Sequence, residues 1–422
     1  MSGAARDLLA EVDALLADDD AATARAYPGD ATTRQPVHTC YVSADRADRT
    51  TPSLWGAEAR AVLDANAGDV DALARLLADI GVPLAPADAE EVLTRVRRVL
   101  RERPVQDLRI DLEDGYGLRP DAEEDAHAAA AGRTLAAWRD DAGAPFVAGV
   151  RVKGLQPATR ARALRSLDRL VGAAADTGGL PHRTVVTWPK VASPAHVEAA
   201  VLVVERLEVA HGLPAGALRL ELQVELPQAV VAADGSATVA RLVHAGAGRV
   251  EGLHYGTYDF SAALGVGPAD QSLDHPLADH AKAVMQLAAA QTGVRVSDGS
   301  TNVLPVGTPE QVRDALVLHG RLVRRAHARA LRQGWDLHPG QLVTRYAVTV
   351  ALARAELAAT AARLRAYAAG AAAGTLDEPA TARALAGALL RGIDDGALDG
   401  DEVRVATGLD DATLLDFAGR TP

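Results

Sequence analysis

The chain has 422 residues, 48% of them hydrophobic and 24% charged, enough for a large core and more than one compact domain usually holds. Its net charge of −12 argues against a nucleic-acid partner, because phosphates reward basic surfaces. A single cysteine, Cys40, excludes an internal disulfide framework and suits a reducing cytoplasm; no apolar run is long enough to span a bilayer, so no membrane partner is expected.

Residues 4–18 predict an acidic amphipathic helix, with Leu8, Leu9, Val12, Leu15 and Leu16 on one stripe, unlike the basic-then-apolar pattern of a secretory signal. A loop with Pro28-Gly29 leads to a first strand at 37–43. Cys40 lies in that apolar run and reads as a small buried hydrophobe. Residues 57–65, 69–80 and 87–102 predict helices, a helical insertion of about 57–103 before the strand at 107–112. Strands and helices then alternate, with helices expected at 121–140, 157–175, 194–211, 236–246, 277–292 and 309–333. Ser193-Pro194 and Thr308-Pro309 each set a cap residue before a first-turn proline, and Thr308 with Gln311 predicts a capping box.

Strands near 38, 108, 147, 184, 219, 250, 295 and 335 number eight, the count that closes a parallel α/β fold into a (β/α)8 TIM barrel. The expected organisation is an N-terminal helix and loop at 1–36, a catalytic barrel at 37–345 and a C-terminal helical extension at 346–422. The extension is expected to be a lid over the barrel mouth or an oligomerisation arm, with an Ala/Gly break at 368–374.

The chemistry gathers where these strands end. Leu108–Gly117 runs from an alternating strand into Asp111, Glu113 and Asp114, three carboxylates that repel one another and need a cation. Phe146–Lys153 ends in Arg151 and Lys153, and Thr184–Lys190 ends in a lysine. The next two strands finish on Glu225 and on Gly256-Thr257-Tyr258-Asp259. Carboxyl ends of parallel strands are where barrels bind ligands. Glu225 and Asp259 offer oxygen ligands for Mg2+, or Mn2+ in its place, with waters completing the shell; no His/Cys set has zinc spacing. The planar fork of Arg151 suits a small carboxylate, and one of the neighbouring acids can orient it. The candidate catalytic residues are therefore Arg151, Glu113 and Asp114. Arg151, Lys190, Gly256 and Thr257 are candidates for binding substrate, and Glu225 and Asp259 for the metal. His338, just before Pro339, reads as structural.

Several of these segments also resemble the citrate lyase β-subunit-like proteins of the HpcH/HpaI aldolase superfamily, within the pyruvate/phosphoenolpyruvate-binding barrels. They are Asp111–Asp114, Val150-Arg151-Val152, Pro189-Lys190-Val191, Glu225 after its strand, Tyr255-Gly256 with Asp259-Phe260, and Leu337–Gln341. The order is kept over about 105–345. The resemblance implies a homo-oligomeric, Mg2+-dependent lyase or aldolase. It would make or break a carbon–carbon bond next to a carbonyl, in a small oxoacid or acyl-CoA substrate, through an enolate. It also implies that Glu225 and Asp259 hold the metal and Arg151 the oxoacid. Two features depart from the family: Tyr41–Arg46 replaces its Pro-Gly loop, and the stretch before Asp111 is longer. Two alternatives remain, a Schiff-base aldolase using Lys190 and a non-catalytic barrel that binds metal and oxoacid.

Overall fold

The computed structural model describes residues 3–370 and 378–420. Among them, eight strands form one parallel sheet: β1 (His38–Ser43), β2 (Asp107–Asp111), β3 (Val147–Arg151), β4 (Thr184–Trp188), β5 (Leu218–Val224), β6 (Val250–Tyr255), β7 (Arg295–Ser297) and β8 (Gly334–Asp336). Each of β1–β6 pairs with the next strand in sequence, and β1 also pairs with β8. Backbone bonds from Asp298 to Gln333 (2.8 Å) and from Trp335 to Gly299 (3.1 Å) join β7 to β8, so the expected TIM barrel closes.

The helices fall where the apolar periodicity puts them. The insertion forms three, Thr51–Ala67, Val70–Ile80 and Pro86–Glu102, whose apolar faces join the main core. The capping box at Thr308 is present with both bonds, whereas Ser193 makes no side-chain cap. Cys40 is buried without a partner cysteine. No helix among the described residues is long and apolar enough to cross a membrane.

Two expectations about the C-terminal part need correction. The helix after β8, Pro339–Ala368, is buried as far as Ala351 in the same core as the strands. It is the barrel's own last helix, and a boundary at 345 cuts through it. The three helices that follow, Pro379–Asp394, Gly400–Thr407 and Asp411–Phe417, do not form a lid over the mouth within this chain. Asp399 pairs with Arg95 (2.9 Å) and Glu402 with Arg354 (3.1 Å). The first of these helices shares a cavity with residues 29–37 and the start of β7, at the amino ends of the strands. The reason is the length of Pro339–Ala368, about 45 Å at 1.5 Å per residue, which carries the chain from the mouth past the base. The Ala/Gly break lies, from 371 onward, outside the described residues.

Candidate active site

Parallel register brings the charged strand ends together. Asp111 on β2 sits directly across from Arg151 on β3. Arg151 gives Nε and Nη2 to the two Asp111 oxygens, both at 2.6 Å, and its Nη1 lies 3.6 Å from Glu113. The guanidinium stacks 4.8 Å over the Tyr41 ring. Its fork is therefore held by Asp111, which fixes the guanidinium plane and leaves the Nη1 edge facing the mouth.

Lys190 follows β4 with φ 54°, a left-handed conformation uncommon for a residue with a side chain. Its backbone N–H donates to Glu225 at 2.7 Å. Its ammonium donates to Glu113 (2.6 Å), lies 3.2 Å from Asp114 and stands 3.9 Å from Asp259. One residue thus meets four carboxylates from three other strand ends. Burial works against its charge, but Glu225 and Glu113 outweigh it and raise the Lys190 pKa.

Glu225 is buried, and burial together with Asp259 and Glu113 pushes its carboxyl up to about 7 despite Lys190. Gly256 makes room for it: a Cβ there would collide with Glu225 Cβ and lie 2.6 Å from Oε2. Glu113 and Asp114 are driven apart. Burial raises Glu113, while in Asp114 the effect of burial is overcome by the Glu113 hydrogen bond and Lys190, which lower it. Thr257 donates its hydroxyl to the Ser300 carbonyl at 3.1 Å and so ties two loops together. His338 caps the helix after β8 by accepting the Gly340 N–H at 3.0 Å.

The residues fit a divalent cation of the Mg2+ type. Glu225 keeps Oε2 free of the Lys190 N–H, the ion-pair partner of Asp259 among the described residues is Lys190 at 3.9 Å, and both donors are hard oxygens. Among the described residues no group of three or more His, Cys, Asp or Glu side chains converges as a metal cage.

Beneath this cluster lies a polar barrel interior that the strand-end reading missed. Arg109, fully buried, binds Asp107, Glu221 (2.6 Å) and Thr187 (2.9 Å), while His254 meets Glu221 at 2.8 Å. Gln223, between Glu221 and Glu225 on the same face of β5, is also fully buried, and its amide has no partner among the described residues. The signal was available. Asp107, Arg109 and Asp111 share one parity, as do Glu221, Gln223 and Glu225, so each strand presents a polar face to the lumen.

The profile of the family described as a domain of unknown function (DUF6986) matches residues 16–421. The chain belongs to that family. No curated protein matches it. Among solved structures, a citrate lyase from Burkholderia xenovorans LB400 superposes with TM-score 0.58 at 18% identity, covering 89% of this chain and 97% of its own. At that identity the likeness shows the fold, a citrate lyase-like barrel. A malate synthase from Haloferax volcanii, in its magnesium/glyoxylate complex, reaches TM-score 0.48 at 15% identity over 74% of this chain and 75% of its own, too distant to carry an argument.

Proposed function

We propose that the chain is a Mg2+-dependent carbon–carbon lyase or aldolase, with Mn2+ as a substitute metal, acting next to a carbonyl of a small oxoacid or acyl-CoA ester. The observation that carries this reading is the pairing of Glu225 and Asp259 at neighbouring strand ends. One of these carboxyls is held near neutrality by burial, and both have oxygens left free. The barrel shared with a protein named a citrate lyase supports the reaction class.

Cleavage next to a carbonyl leaves an enolate, whose oxygen needs positive charge where it forms. A bound divalent ion would supply part of that charge. In this reading the Nη1 edge of Arg151 supplies another part, oriented by Asp111, and the unpartnered Gln223 amide meets a polar group of the substrate from below. Asp114, about half exposed and with its pKa lowered, is the proposed proton acceptor, and Glu113, bonded to the Lys190 ammonium, stands beside it. Lys190 orders the carboxylates. Its raised pKa keeps the amine protonated, which disfavours the Schiff-base alternative.

A homo-oligomer is part of the proposal. The stripe of Leu8, Leu9, Val12, Leu15 and Leu16 is exposed on the N-terminal helix, and light scattering on the purified chain tests it. The experiment that tests the activity is a panel of oxoacids and acyl-CoA esters assayed for cleavage with Mg2+ and with EDTA. Turnover only with Mg2+ is expected. Turnover in EDTA that borohydride arrests would favour the Lys190 imine, and no turnover at all would favour the binding barrel.

A further inference from the structure

The base of the barrel holds a polar cavity of about 780 Å³, closed on one side by residues 29–37, β7 and the loop before β8, and on the other by the helix Pro379–Asp394. Five arginines line it: Arg295, Arg332, Arg383, Arg391 and Arg420. Three aspartates oppose them: Asp30, Asp394 and Asp395. Five against three leaves a formal excess of two positive charges, on a chain whose net charge is −12. The cavity therefore carries the opposite sign to the molecule around it, and a general surface potential does not account for it.

The pairing within it is incomplete. Arg420 bonds Asp394 at 3.2 Å, and Arg295 donates to the Thr33 carbonyl at 2.6 Å. Arg391 Nε is buried with no hydrogen-bond partner among the described residues. Burial and the neighbouring Arg332 and Arg420 pull the Arg391 pKa down to about 10, and burial and Arg183 do the same to Arg295. Asp395 does little to relieve them, because burial raises its own pKa to about 7, so at neutral pH it is only partly ionised. Guanidinium groups held together with too few counter-charges and an unsatisfied donor are costly unless an anion joins them. Their planar forks match the oxygens of phosphate and carboxylate groups. Alanines at 289, 290, 330, 380 and 384 give the same cavity an apolar lining, and its size suits a small organic molecule.

We propose that this cavity is a binding site for a small, multiply charged oxyanion, gripped by Arg391, Arg332 and Arg295 at the end of the barrel opposite the candidate active site. Phosphate esters and polycarboxylates share the required chemistry. A ligand here bridges the barrel to its C-terminal helices, so binding stiffens their junction. The site stands independently of the proposed reaction.

Inorganic pyrophosphate and citrate distinguish the two sources. Each is titrated calorimetrically into the full-length, EDTA-treated protein at low salt, so that neither can be held at the mouth through a metal. Saturable one-to-one binding by at least one probe is expected, weakened at least tenfold in both Arg391→Gln and Arg332→Gln. Arg6→Gln, on the exposed N-terminal helix, should leave it within twofold. Arg391→Gln should melt no lower than the wild type without anion, since it removes an unpaired charge, and should lose the rise in melting temperature that the probe gives the wild type. No binding of either probe at 10 mM, or binding unchanged in both cavity variants, would overturn the proposal.

Discussion

Lys190 donates its backbone N–H to Glu225 at 2.7 Å while its ammonium bonds Glu113 at 2.6 Å, so one residue after β4 ties the ends of β5 and β2 together. Replacing it with methionine keeps the stem and removes the charge. Glu113 is then a buried carboxylate with only the more distant Arg151 to balance it. Lys190→Met should lose about 1–3 kcal/mol of stability at pH 8, less than a fully buried pair because the lysine is a quarter exposed. The deficit should shrink toward pH 5 as the carboxylates take up protons. Urea unfolding at the two pH values measures it, and an equal loss at both would detach the effect from charge.

Gly256→Ala is the sharpest steric test of the site. The added methyl meets Glu225 Cβ and lies 2.6 Å from Oε2, so Glu225 must move, and with its Cβ the backbone at the end of β5. Mg2+ affinity, read by calorimetry, should fall at least about tenfold, as it should in Glu225→Gln and Asp259→Asn, whose amides are poorer ligands for a hard cation. Wild-type affinity in all three variants would remove the metal from this place.

The raised Glu225 pKa has a signed consequence. A carboxyl shifted from 4.5 to about 7 on folding takes up a proton in the folded state before the unfolded one. Its cost to stability is therefore absent below about pH 4.5, grows between 4.5 and 7, and is constant above. In EDTA, Glu225→Gln should be more stable than the wild type by about 3 kcal/mol at pH 8, and equal to it at pH 4. Denaturation midpoints across that range check the sign; a variant less stable than the wild type at pH 8 would contradict the assignment.

Arg151→Lys keeps the charge and loses the two-pronged bond to Asp111. An ammonium has no plane for Asp111 to orient, so the donor at the mouth is lost as well. A loss of about 2–4 kcal/mol of transition-state stabilisation is expected, read as kcat/KM with the substrate the panel identifies. A change below about threefold would place Arg151 outside the reacting shell.

Truncation separates the two parts of the C-terminal region. Ending the chain after Arg345 removes the buried stretch through Ala351 and should abolish folding, whereas ending it after Ala369 removes only the helices at the base. Circular dichroism distinguishes these outcomes, and a folded product from the shorter truncation would show that the last helix is dispensable.

The barrel and most of its mouth were legible because period-2 strands and period-3.6 helices alternate from β2 onward, and the charged residues fall at consistent strand ends. Arg151, Glu113, Asp114, Lys190, Glu225, Asp259 and Gly256 do meet at the mouth. Thr257 was singled out with the Gly256–Asp259 turn, but strand-end position does not fix the direction of a side chain, and its hydroxyl bonds the Ser300 carbonyl. The conformation of Lys190 left no trace in composition, since nothing about Trp188-Pro189-Lys190 demands a positive φ. The docking of the C-terminal helices at the base was hidden for a different reason. An amphipathic face shows that a helix packs on something, but not on which end of the barrel.

Deuterium exchange into the methyl groups of pyruvate and acetyl-CoA, followed by proton NMR, tests the central claim most directly, because enolate formation precedes any choice of second substrate. Exchange into at least one of them is expected with Mg2+ present, none in EDTA, and none in Glu225→Gln. Exchange that persists in EDTA, or its absence from both compounds with Mg2+ bound, would contradict it.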